Sequence, residues 1–167
     1  MDDLSQRIAE AGAALIALRP ELLAGEPWPL SVAYGTEPEA DWGPREVLAH
    51  INEMLSYWTS ELTQVVAGDA SGAAVPFGRV ASDPLRLARI AADRELPAGE
   101  LLDAIAANIE ATTGFVDRLD PAALERVGEH PTRGEITVAA SLDRFIASHL
   151  EDHVRQMRSI LDNASTR

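Results

Sequence analysis

Four histidines are the residues in this chain best suited to chemistry, and three have spacing that could hold a metal ion. His149 and His153 stand four residues apart, so on a helix their imidazoles project from one face, a turn apart. On a wheel of about 100° per residue, with Val138 at zero, they fall at about 20° and 60°. Leu142, Ile146, Met157 and Ile160 share that arc, so both histidines are expected to turn inward. Two imidazoles in a core are hard to satisfy by hydrogen bonds alone, and a shared ion is one solution. His50 lies one turn into an earlier helix, beside Met54 and Trp58. Three histidines from two helices would form a facial set that leaves positions for water or substrate. The sequence shows no obvious fourth ligand, which favours an open site over a closed structural one. Each imidazole could also be an ordinary hydrogen-bonded core residue. His130, beside Pro131 in an expected loop, reads as a solvated side chain.

The nearby carboxylates are few. Glu53 and Asp152 each stand three residues after a histidine, the reverse of the order in di-iron carboxylate bundles. Glu53 reads as a surface charge. Asp152 could orient an imidazole or simply be solvated. Arg144 borders the inner face, where an external salt bridge is expected. No nucleophile elbow, His-Glu-x-x-His or dinucleotide-binding glycine motif occurs.

Composition narrows the chemistry further. There is no cysteine, so any metal must be held by histidine and oxygen ligands, and any reactive thiol must come from outside. The net charge is −13, and all 14 basic residues are arginine. Such a surface repels a phosphate backbone, so no nucleic-acid partner is expected. Without lysine there is neither a P-loop nor a Schiff base. No apolar run approaches the roughly 18 residues of a membrane span. The acidic start, Met1-Asp2-Asp3, is unlike a signal peptide, and a cytoplasmic location is expected.

The elements that must position the histidines follow from periodicity and punctuation. The 167 residues suit one domain, 1–167. Leu4, Ile8, Leu15, Leu18 and Leu22 predict a helix over 4–24. Residues 25–43 form a long connection, functional or a crossover, whose Trp28, Tyr34 and Trp42 are expected to pack over a bundle end. A second helix opens at Pro44, with Glu46 in its first turn, and fades near 67–69. A glycine-bearing loop spans 68–82, a short helix 84–95 and a firmer helix 98–119, with one further turn in 121–127. The last helix is predicted from Thr137, as N-cap, to Leu161. Four strong helices and no convincing strand predict an all-α four-helix bundle, and two long connections argue against simple up-down-up-down order.

With these residues in view, Asp41-Trp42-Gly43-Pro44-Arg45-Glu46-Val47-Leu48-Ala49-His50 resembles the helix opening of the DinB-like (YfiT-like) metalloenzymes. His130-Pro131 to Gly134, Thr137, and His149-Leu150-Glu151-Asp152-His153 resemble the end of the same family. Gly43 departs from its usual serine or threonine cap. The resemblance implies up-down-down-up connectivity, frequent homodimers, and a nickel- or zinc-type ion on His50, His149 and His153, with iron or manganese as alternatives. Its characterised members include bacillithiol and mycothiol S-transferases and mycothiol-dependent maleylpyruvate isomerases. The expected activity is therefore transfer of a low-molecular-weight thiol to a small electrophile. A hydrolase on the same metal, or a non-catalytic bundle, are the alternatives.

Overall fold

The structure is a computed structural model that describes residues 2–31, 39–68 and 73–165. Four long helices form a bundle: α1 (Asp2–Ile16), α3 (Pro44–Ala67), α5 (Ala98–Asp117) and α8 (Ser148–Ser165). Ile8, Leu15, Ile51, Leu55, Leu102 and Met157 lie fully buried where they meet. Truncating one such side chain to alanine is expected to cost about 2–5 kcal/mol.

Cross-helix pairs fix the directions. Arg7 bonds Glu151 while Ala11 and Val154 line one groove, so α1 and α8 run parallel. Gly12 faces Ile109 while Arg19, just after α1, bonds Asp103, so α1 and α5 are antiparallel. Asn52 meets Asn108 and Thr59 meets Thr112, which makes α3 and α5 parallel. His50 meets His153 while Trp58 meets Phe145, so the last segment opposes α3. The connectivity is up-down-down-up, as the resemblance implied.

The helix expected over 4–24 is two. Pro20 has no N–H for the carbonyl of Ile16, and its ring crowds that carbonyl. The chain breaks there and restarts as α2 (Arg19–Ala24). The short helix is α4 (Pro84–Asp93), capped by Asp83, which accepts from Leu85 N and Arg86 N at 2.9 and 3.0 Å. α6 (Pro121–Leu124) is the extra turn, capped by Asp120.

Beside the bundle lies a small sheet that the sequence reading did not anticipate. β1 (Val75–Pro76) runs parallel to β2 (Val127–His130), which forms an antiparallel hairpin with β3 (Gly134–Thr137). Strands of two to four residues are too short to show a clear alternation.

The last helix is also not one regular helix. It comprises α7 (Val138–Leu142), a wide π-turn over Asp143–Ala147, and α8. Thr137 caps α7 as predicted, accepting from Ala140 N at 3.2 Å. The buried positions step from Val138, Leu142 and Phe145 to Leu150, Val154, Met157 and Leu161. One residue is inserted into the period, turning everything after it by about 100° relative to a regular wheel.

Candidate metal centre

The π-turn decides how the two histidines of α8 are presented. A regular wheel puts both mid-face. With the extra residue, His153 stays buried while His149 moves to the edge, with 30% of its side chain exposed. His50 arrives from α3, where the first three turns are almost wholly buried. The three rings form a triangle with centroid separations of 5.1, 4.9 and 4.6 Å.

Their nitrogens converge. His50 Nε2 and His149 Nε2 are 3.2 Å apart. Two imidazoles bound tetrahedrally at zinc–nitrogen lengths of 2.0–2.1 Å would hold their nitrogens about 3.3 Å apart. His153 Nε2 is buried and has no hydrogen-bond partner among the described residues. A buried, unpaired imidazole nitrogen is costly in a metal-free core and is what a ligand to a shared ion would show. The cluster that could hold an ion has a fourth member, Glu39, and the potential ligand atoms all lie within 4.8 Å of one another.

Glu39 is the fourth donor that the sequence reading did not find. It lies in a 3₁₀ turn, Glu39–Asp41, inside the long connection. Its carboxylate accepts from Arg86, and Oε2 lies 3.9 Å from His149 Nε2. The connection thus brings a carboxylate to the histidine cluster, but no periodicity marks one acidic residue in a loop. Trp28 and Trp42 do pack inward from it, whereas Tyr34 lies outside the described residues.

His153 is held from behind. Gln156 Nε2 donates to the Glu39 carbonyl at 2.7 Å, which leaves Oε1 to accept from His153 Nδ1 at 2.9 Å. That bond puts the proton on Nδ1 and frees the Nε2 lone pair for the cluster. His50 Nδ1 lies 3.8 Å from Glu53 Oε2 and 3.5 Å from an Arg86 nitrogen. Glu53 is therefore no surface charge. It is buried, paired with Arg79, and faces the ring three residues before it, because this face of α3 is covered by α4 and α8. Asp152 took the solvated course, paired with Arg155 on the exposed side.

The surroundings keep the imidazoles neutral, the form that binds metal. Burial lowers His50 well below the ordinary 6.5, and the neighbouring imidazoles and Arg86 and Arg79 press it in the same direction. Burial, with His153 next, brings His149 down to about 4. Burial also lowers His153, against the Gln156 hydrogen bond. Glu53 is raised by burial, with Arg79 opposing.

The cluster sits at the end of a cavity of about 400 Å³. One wall is aromatic: Trp58 and Phe145 stack at 4.2 Å, nearly parallel. His130 continues this stack, 5.2 Å from Phe145. It is buried at the end of β2 rather than solvated, so the expectation from its neighbour Pro131 is corrected. Burial lowers its pKa, with Arg133 adding to the effect. The polar wall carries Arg79, Arg86, Arg133 and Arg144. Arg144 makes no ion pair among the described residues, so the external salt bridge expected for it is not there.

Among the described residues no helix is long and apolar enough to cross a membrane. A family model described as the DinB superfamily matches residues 2–157, a span that contains all four members of the cluster. No curated protein and no solved structure matches the chain.

Proposed function

The chain belongs to the DinB superfamily, and on that premise we propose that it is a metal-dependent transferase joining a low-molecular-weight thiol to a small electrophile. The ligands are His50, His149 and His153, with Glu39 as an oxygen donor. The observation that carries this reading is the convergence of three imidazole nitrogens and a carboxylate on the end of an open cavity.

A divalent ion of the nickel or zinc type would act there as a Lewis acid and lower the proton affinity of a coordinated thiol. The protein's own groups do the rest. Gln156 orients His153 through the bond to its Nδ1. Trp58 and Phe145 keep one side of the cavity dry and apolar. The half-exposed His149 lies on the open side, where a thiol enters. The absence of cysteine accords with a thiol supplied by a co-substrate. The same reading takes residues 1–167 as one domain acting as a cytoplasmic homodimer, which sedimentation would measure.

The test is to purify the protein without a histidine tag, quantify its metals by mass spectrometry, and assay thiols with monochlorobimane. Near one nickel or zinc per chain and thiol-dependent turnover are expected. Ester cleavage with no thiol turnover would replace the transferase with a hydrolase. A protein that neither contains nor takes up metal would remove both readings.

A further inference from the structure

One guanidinium spans the π-turn from outside. Arg7 of α1 donates from Nη1 to Asp143 Oδ1 at 2.7 Å and from Nη2 to Ser148 Oγ at 3.1 Å. Its Nε and Nη2 also grip Glu151 Oε1 and Oε2 at 2.8 and 3.0 Å, the two-bond fork that makes an arginine–carboxylate pair strong. Ser148 Oγ in turn donates to Asp143 Oδ1 at 3.2 Å. Asp143 is the first residue of the wide turn, and Ser148 closes it, its N–H bonding the Asp143 carbonyl five positions back. The inner side of the same turn carries Phe145 and Ile146, both buried.

Docking α1 onto α8 does not require this arrangement. Arg19 ties the N-terminal segment to α5 with one carboxylate, Asp103, and the Gly99 carbonyl, and it spans no turn. Glu151 alone would give Arg7 an equivalent anchor. The bonds to Asp143 and Ser148 add a brace across a backbone conformation that is rare beside its regular alternative. If the Ser148 N–H returned to the carbonyl of Arg144, the helix would regain its ordinary period. The residues beyond would then turn by about 100° relative to those before. His149 is the next residue, and its place at the edge of the histidine cluster depends on that angle. Isolated surface ion pairs contribute little, and a forked pair within a network is the exception. Arg7, with 28% of its side chain exposed, forms such a network.

We propose that Arg7 is a positioning residue for the metal centre: by bracing the π-turn across its two ends, it fixes the angle at which His149 meets His50 and His153. Arg7 lies outside the cavity and is no member of the cluster, so its effect on the site passes through the turn. The inference rests on the reading of that cluster as a metal centre, but the brace itself is testable without metal.

The experiment compares R7Q with R19Q, which removes the ion pair to Asp103 and leaves the π-turn alone. Hydrogen exchange of the chelator-treated proteins, followed by mass spectrometry, reads the brace. Amides of 143–149 should exchange about tenfold faster in R7Q and at the wild-type rate in R19Q. Titration with cobalt(II) chloride, followed by visible absorption, reads the site. R7Q should weaken cobalt binding about tenfold, the low end for groups that orient a ligand, and alter the spectrum. In a His149→Ala background R7Q should change the affinity by less than about twofold, because the residue it positions is gone. Unchanged exchange in R7Q, equal cobalt losses with and without His149, or an equal loss in R19Q overturns the proposal. A wild-type protein that takes up no cobalt would defeat the metal-centre reading, and the exchange rates would then decide the brace by themselves.

Discussion

His50 Nε2 and His149 Nε2 approach to 3.2 Å although 99 positions of chain separate them. Helices α3 and α8 oppose each other, the second turn of α3 meets the first two turns of α8, and Glu39 closes the group from the connection. Replacing His149 or His153 with alanine is expected to lower metal affinity by more than about 100-fold, beyond the range of orienting groups. Gln156→Ala should cost about 10–100-fold, because it frees the His153 ring without removing a ligand. Competition with a chromogenic chelator measures all three, and equal losses for Gln156→Ala and His153→Ala would contradict these roles.

Glu53 and Arg79 form a buried ion pair behind His50. Removing one partner of such a pair strands a charge, and Arg79→Ala is expected to destabilise the protein by about 3 kcal/mol near neutrality. The sign of its pH dependence follows from Glu53, whose folded-state pKa is already raised by burial. Without Arg79 it rises further; the unfolded value is common to both proteins, so the loss relative to wild type grows as pH climbs from the wild-type folded value and levels off above the variant's. Urea unfolding at pH 4 and pH 8 checks this, and a loss independent of pH would contradict it.

The histidine cluster makes the metal-free protein acid-sensitive. His50, His149 and His153 are all lowered from 6.5 in the folded state, His149 to about 4. The unfolded chain takes up their protons below about pH 6.5 while the folded chain resists, so stability falls with pH across that window. Below about pH 4 the His149 contribution levels off. Thermal melting of chelator-treated protein at pH 7.5, 6.0 and 5.0 should show a falling midpoint, and His149→Gln should flatten that slope.

Much of this arrangement was legible in the sequence. Val47, Leu48, Ile51, Met54, Leu55 and Leu62 are buried on α3 as their spacing requires, and Thr137 caps the helix it precedes. His153 is buried as its helical position suggested, whereas His149 lies at the edge of the cluster. Pro20 was a readable break that the leucine periodicity overrode. Other features left no local signal. A π-turn changes the helical period without a sequence mark such as proline. Glu39 and Gln156 act through the path of a connection and the packing of a neighbouring helix, and neither is encoded by spacing. His130 and Glu53 were misplaced because charge and a neighbouring proline suggest solvent, while tertiary packing buried both.

Gly78 ties the small sheet to the cavity's aromatic wall. Its φ of +83° lies in the region that favours glycine, and its N–H donates to Glu61 Oε2 at 2.6 Å. A methyl group there would stand 2.5 Å from His130 Cδ2 and 3.2 Å from Trp58 Cζ3. Gly78→Ala therefore carries two penalties, backbone strain of about 1–3 kcal/mol and displacement of the His130 ring from its stack. In a His130→Ala background only the first penalty remains, although that variant has its own cavity cost. The two substitutions should be non-additive: Gly78→Ala costs less, by about 1 kcal/mol or more, once the ring is gone. Urea unfolding of the four proteins in the cycle measures this coupling. Strict additivity would show that His130 can move aside freely, and the Trp58–Phe145–His130 stack would then be no rigid wall for the cavity.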